Sequence, residues 1–106
     1  MRLPLILVLS LFSASAVADV KEFTLTLRKH RFVPAQLTIP ANTKVKLLIV
    51  NEDSTPEEFE SHDLKREKVI AGKSQATISI GPLKPGTYKF VGEFHEVTAQ
   101  GEIVAK

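Results

Sequence analysis

The chain contains no cysteine among its 106 residues. It therefore forms no disulfide, carries no lipid anchor on a cysteine, and offers no thiolate as a nucleophile or as a ligand for a soft metal ion. No G-x-S-x-G motif, phosphate-binding loop or paired-cysteine zinc motif occurs either. These absences argue against a serine hydrolase, a nucleotide-binding protein and a zinc finger.

A strong excess of one charge is also missing. The 14 basic and 12 acidic side chains give a formal net charge of +2, and no basic stripe is interleaved with aromatic residues. Binding to nucleic acid is therefore not expected. The acidic residues are unevenly placed, since seven of the 12 lie between positions 52 and 67. Such a run usually marks a solvated face.

The first 18 residues have the pattern of a secretory signal peptide. Arg2 is followed by an apolar run over residues 3–12, and an A-x-A cleavage site lies at residues 16–18. The apolar run is too short to cross a bilayer as a helix. We expect a periplasmic protein whose mature part, residues 19–106, forms one small domain.

The mature part has the pattern of an all-β domain. Apolar and polar residues alternate over residues 23–27, 45–49 and 76–80, and turn-forming residues recur between the short apolar runs. A single helical turn is expected over residues 63–68. The pattern predicts a Greek-key β-sandwich or barrel with about seven to eight strands.

Several motifs give the chain a family resemblance. FVP at residues 32–34, IPANTKV at 39–45, PGTY at 85–88 and the loop around His95 resemble the cupredoxins. Three further motifs are similar to the EfeO-type cupredoxin-like domains of periplasmic ferrous-iron uptake systems: EFES at 58–61, REKVIAG at 66–72 and GEFHEVTAQG at 92–101. The resemblance implies a cupredoxin fold, bound copper or iron, and two partners, a periplasmic iron-binding protein and an inner-membrane iron permease.

The resemblance also implies where a metal would lie. A blue copper site uses two histidines, a cysteine thiolate and a weak axial ligand. Matched to that pattern, the first histidine falls on Glu57 or Glu58, the cysteine on Gly92, the second histidine on His95 and the axial ligand on or near Gln100. Without the thiolate a blue site is not expected. Carboxylate and imidazole donors suit Fe, Mn, Zn or Cu(II) in a non-blue site.

The predicted metal ligands are Glu58, Glu67, Glu93 and His95. Strand alternation bears on the first of them: if Phe59 faces the core, then Glu58 faces the opposite side of its strand. Three of these residues also have a simpler interpretation. Glu58 can be a solvated edge charge, Glu67 a partner of its neighbour Arg66, and His95 a surface histidine. His30 and His62 are weaker candidates, and His30 lies in a basic stretch where solvation is the expectation.

Three functions remain open on the sequence. The first is a metal-binding accessory or redox partner in iron uptake. The second is a metal-free adaptor that docks on an iron carrier or permease through its acidic surface. The third is a small ferroxidase, which is less favoured because one mononuclear site transfers one electron and the reduction of oxygen needs more.

Overall fold

The computed structural model describes residues 2–6 and 20–106, so most of the predicted signal peptide at residues 1–18 lies outside the described residues. The described part of the mature chain is an all-β sandwich of two sheets, which confirms the predicted fold class. Among the described residues, no helix is both long enough and apolar enough to cross a membrane.

Within residues 20–106, nine strands and one short 3-10 turn make up the fold. The strands are β1 (Glu22–Arg28), β2 (Arg31–Val33), β3 (Gln36–Ile39), β4 (Val45–Asn51), β5 (Glu57–Ser61), β6 (Arg66–Ile70), β7 (Ser74–Ile80), β8 (Gly86–Gly92) and β9 (Gln100–Ala105). The 3-10 turn, Glu93–His95, follows β8 directly.

The strands form a four-stranded sheet in the order β2-β1-β4-β7 and a five-stranded sheet in the order β3-β9-β8-β5-β6. Both sheets are mixed, because β1 pairs with β4 and β3 pairs with β9 in parallel while the other neighbours are antiparallel. In the larger sheet β5 lies between β8 and β6. This position brings residues of β5, β6 and the turn after β8 together at one end of the sheet.

The core lies between the inner faces of the two sheets. Its aromatic centre is formed by Phe32, Phe59 and Phe90, whose ring centroids lie 4.9–6.2 Å apart. Phe32 and Phe90 meet edge to face, a favourable arrangement for aromatic rings. Phe59 comes from β5, so this core contact fixes which residues of β5 face inward and which face outward.

The helical turn expected over residues 63–68 is wrong. Residues 62–65 form a tight turn, and Arg66–Ile70 is strand β6. Lys65 has a positive φ of 55°, which ends any helical path at that residue. The following residues then pair with β5 along its whole length, and these ladder hydrogen bonds stabilise the strand instead.

Candidate metal centre

Strand β5 divides its acidic residues between two faces. Glu57, Phe59 and Ser61 are buried, whereas Glu58 and Glu60 lie partly exposed on the outer face of the sheet. This alternation follows from the two-residue period of a β-strand and confirms the expectation that Glu58 points away from the core. The two faces therefore carry two different arrangements of side chains.

The outer face brings four carboxylates together. Glu60 is directly opposite Glu67 in the β5–β6 ladder, and Glu93 begins the 3-10 turn after β8. One oxygen from each of Glu58, Glu60, Glu67 and Glu93 lies within 4.8 Å of the others. We call these four residues the carboxylate cluster. It contains three of the four predicted ligands, together with Glu60, which the sequence did not single out.

The close approach of these acids changes their protonation. Hydrogen bonding with the Glu67 carboxylate, followed by burial and the proximity of Glu93, raises the pKa of Glu58 from 4.5 to about 7. The Glu93 carboxylate likewise raises the pKa of Glu60 through a hydrogen bond. In both cases the hydrogen bond between two carboxyl groups favours the protonated form, and the nearby negative charges add to this effect.

No cation of the chain neutralises the cluster within residues 2–6 and 20–106, where ion pairs join only Arg28 to Glu52 and His95 to Glu57. The Arg66–Glu67 pair considered from the sequence does not form. Arg66 instead donates to the backbone oxygens of Ser79 and Lys65, each at 3.1 Å.

The inner face holds the remaining predicted ligand, His95, away from the cluster. Its Nδ1 lies 2.5 Å from Oε2 of Glu57, a residue that is only 2% exposed. Oε1 of Glu57 accepts two backbone N–H groups, from Phe94 at 2.8 Å and from Glu58 at 3.1 Å. Both side-chain oxygens of this buried acid therefore have hydrogen-bond partners within the chain, as is usual for buried polar atoms.

His30 lies flat against His95, with ring centroids 3.6 Å apart and planes 12° from parallel. Lys29 and His30 form the tight turn between β1 and β2 and have φ values of 52° and 57°. The Asp53 carboxylate accepts both of their backbone N–H groups, at 2.8 and 2.9 Å. His30 is thus a packed side chain, and the expectation that it is simply solvated is wrong.

The residues matched to the copper ligands do not form a copper site of the blue type. Glu57 lies beside Gly92 and His95, so it, rather than Glu58, takes the place of the first histidine. A Cβ atom at Gly92 would lie 2.7 Å from Cδ of Glu57, which leaves no room for a thiolate there. Gln100 is exposed and donates to the backbone oxygen of Glu96 at 2.9 Å, which directs its side chain elsewhere.

The chain matches the cupredoxin-like domain family over residues 1–105. An uncharacterized protein of Rickettsia prowazekii is 46% identical over 86 residues, which are 81% of this chain and 69% of that protein.

Solved structures are similar in fold. Auracyanin A, a "blue" copper protein of Chloroflexus aurantiacus, has a TM-score of 0.70 at 12% identity, over 83% of this chain and 100% of that chain. The metal-binding domain of the Cu(I)-exporting P-type ATPase CopA of Streptococcus pneumoniae has a TM-score of 0.64 at 13% identity, over 80% of this chain and 84% of that chain. The fold is thus related to that of copper-binding proteins, and this chain belongs to the cupredoxin-like domain family.

Proposed function

We propose that this protein is a periplasmic cupredoxin-like protein that binds a hard metal ion, iron or Cu(II), at the carboxylate cluster and acts as an accessory or redox partner in iron uptake. The observation that carries the proposal is the convergence of four carboxylates within 4.8 Å. They come from two paired strands and an adjoining turn, and no ion pair of the described residues includes them.

The spacing of the cluster supports a metal ion. Metal–oxygen bonds of about 2.0–2.2 Å place opposite ligands about 4.0–4.4 Å apart, so the four oxygens need to close by only a few tenths of an ångström. Glu67 and Glu93 are exposed and free to make that adjustment, while Glu58 and Glu60 are held by the β5 backbone. Oxygen ligands of this kind suit hard cations and leave a bound copper without the colour that a thiolate gives.

Electrostatics supports the same proposal. Four carboxylates this close repel one another, as the raised pKa of Glu58 and of Glu60 indicates. A bound divalent or trivalent cation would attract all four carboxylates and so offset their mutual repulsion. Anionic oxygen ligands also stabilise the higher oxidation state of iron or copper, which suits a role in holding oxidised iron or in accepting an electron through a partner.

The place in iron uptake rests on the sequence. The motifs at residues 58–61, 66–72 and 92–101, which carry the resemblance to periplasmic iron-uptake domains, contain all four residues of the carboxylate cluster. The predicted signal peptide supports a periplasmic location. The expected partners are a periplasmic iron-binding protein and an inner-membrane iron permease.

A second candidate is a metal-free adaptor that docks on the iron carrier or the permease. Two exposed apolar side chains on the segment that follows Glu93 favour it. Phe94 is 49% exposed and Val97 is 92% exposed, and both lie on the segment that joins β8 to β9. Apolar side chains bordered by acidic residues are typical of a docking surface.

Titration calorimetry on residues 19–106, which contain all nine strands, separates the two candidates. Fe(II) under anaerobic conditions, Fe(III) citrate and Cu(II) are each titrated into the wild-type chain and into Glu58→Gln/Glu60→Gln. We expect one saturable site in the wild type and a loss of affinity of about 10–100-fold or more in the double variant. The control Glu22→Gln/Glu102→Gln has the same net charge and keeps the cluster intact.

Two results would reject the metal-binding function. One is the absence of saturable binding by the wild type, and the other is an equal loss of affinity in the control variant. Capture of the iron carrier by protein treated with a chelator, at wild-type affinity, would then favour the adaptor.

A further inference from the structure

The backbone conformation at Gly92 does not require a glycine. Its φ of −89° and ψ of 106° lie in the extended region that every residue type can adopt. The reason is steric. A Cβ atom at this position would lie 2.6 Å from Cβ of Ala99 and 2.7 and 2.9 Å from Cδ and Oε1 of Glu57. Real Cβ atoms do not approach other atoms so closely, so any side chain at position 92 would have to displace the Glu57 carboxylate or Ala99.

The space next to Gly92 is therefore filled by the carboxylate of Glu57. By the family resemblance, Gly92 has the place of the copper-binding cysteine, Glu57 that of the first histidine and His95 that of the second. Glu57 is buried, and its two oxygens accept three hydrogen bonds, from the backbone of Phe94 and Glu58 and from Nδ1 of His95.

We propose that the Glu57 carboxylate closes the copper position of the fold and itself cross-links β5 to the segment between β8 and β9. The pair of Glu57 and His95 is then a structural replacement for a metal ion rather than part of a metal site. Glycine stands at position 92 because only a residue without a Cβ atom leaves room for the Glu57 carboxylate. This inference goes beyond the proposed function, which concerns the carboxylates on the opposite face of β5.

The contacts around the pair fit this role. The backbone N–H of Gly92 donates to the backbone oxygen of Ala99 at 2.7 Å, and the N–H of Ala99 donates to the backbone oxygen of His95 at 2.8 Å. The segment from Gly92 to Ala99 is therefore a loop closed by its own hydrogen bonds. Glu57 reaches into that loop from β5 and is the residue that binds both the backbone and the imidazole. The His30 ring stacks on one face of the His95 imidazole, and Glu57 is bonded to Nδ1 of His95.

A double-mutant cycle tests the steric part without any metal. The Ala99→Gly background removes Cβ of Ala99, so the nearest known atoms to the new Cβ in Gly92→Ala are Cδ and Oε1 of Glu57. We expect Gly92→Ala to lower the melting temperature by about 10 °C. Glu57→Ala, which removes the conflicting atoms, should cancel most of that additional loss. If the Gly92→Ala chain does not fold, recovery of folded protein by Glu57→Ala is the expected result.

The matched control is Gly101→Ala in the same backgrounds. A Cβ atom at Gly101 would meet the ring of Phe90 and not Glu57, so its cost should be the same with and without Glu57→Ala. Equal, additive costs at Gly92 and Gly101 would overturn the proposal.

Discussion

Glu60 and Glu67 lie directly opposite each other in the β5–β6 ladder, so two like charges form a cross-strand pair on the outer face of the sheet. Such a pair ordinarily destabilises a sheet. Glu58 and Glu93 add two more carboxylates within 4.8 Å, and this increases the repulsion. This repulsion lowers the stability of the folded protein when no metal is bound, and the loss of stability can be measured.

The first prediction concerns the pH dependence of stability. The pKa of Glu58 is 4.5 ordinarily and about 7 in the folded chain. The folded chain thus binds this proton more tightly than the unfolded chain does. The resulting stability is fully present below the unfolded pKa and is lost as the pH rises through the folded pKa. Without metal, the melting temperature should fall between about pH 4.5 and about pH 7, the two pKa values of Glu58.

Glu58→Gln should remove a large part of this pH dependence, because its amide does not titrate. The exposed Glu22→Gln should keep it. The carboxyls with lowered pKa values, Glu52 and Asp53, lose their stabilising charge only at pH values below this window. Thermal melts at low salt measure the effect, and an unchanged slope in Glu58→Gln would contradict the assignment of the titrating group.

The second prediction is that metal binding stabilises the fold. A ligand that binds only the folded state at 100 times its dissociation constant contributes about 2.7 kcal/mol, which corresponds to about 10–20 °C in a domain of this size. Saturating Fe(III) or Cu(II) should therefore raise the melting temperature by about 10–20 °C. The rise should be larger at about pH 8 than at about pH 6, because protons compete with the metal for Glu58. A chelator should reverse it, and an equal rise in Glu58→Gln/Glu60→Gln would place the metal elsewhere.

The fold could be predicted from the sequence because most strands are indicated by the residues of the strand itself. Alternation of apolar and polar residues marked the strands, and the same alternation correctly placed Phe59 inside and Glu58 outside. The helical turn over residues 63–68 failed because strand β6 depends on pairing with β5 rather than on its own composition. A short polar segment carries no periodic pattern from which such pairing can be recognised.

The site could be predicted only in part. The sequence indicated Glu58, Glu67 and Glu93, but Glu60 joins them through the register of β5 against β6, which no local pattern specifies. The binding of His95 to Glu57 depends on the space left by Gly92 and on the conformations of two side chains. The glycine itself was the available signal, since it stands where the family resemblance expects a side chain.

The third prediction concerns Asn51, a buried residue that is 1% exposed at the end of β4. Its Nδ2 donates to the backbone oxygens of Thr55 at 2.9 Å and of Ile70 and Ala71, each at 3.3 Å. Asn51→Ala leaves these carbonyls without that donor and should reduce the free energy of unfolding by about 2 kcal/mol. Urea denaturation measures the loss. The exposed Gln75→Ala should change stability by less than about 0.5 kcal/mol, and a similar loss there would contradict the hydrogen-bond explanation.

The fourth prediction compares the same substitution at two phenylalanines. Phe59 is fully buried and packs against Phe32 and Phe90, whereas Phe94 is half exposed in the turn after β8. Phe59→Leu should reduce the free energy of unfolding by about 1–2 kcal/mol, because it leaves a cavity beside the two rings. Phe94→Leu should change it by less than about 0.5 kcal/mol. Because the chemical change is identical, the difference reports the burial of the two sites. Urea denaturation measures both, and equal losses would mean that the loop packs more tightly against the domain than its exposure indicates.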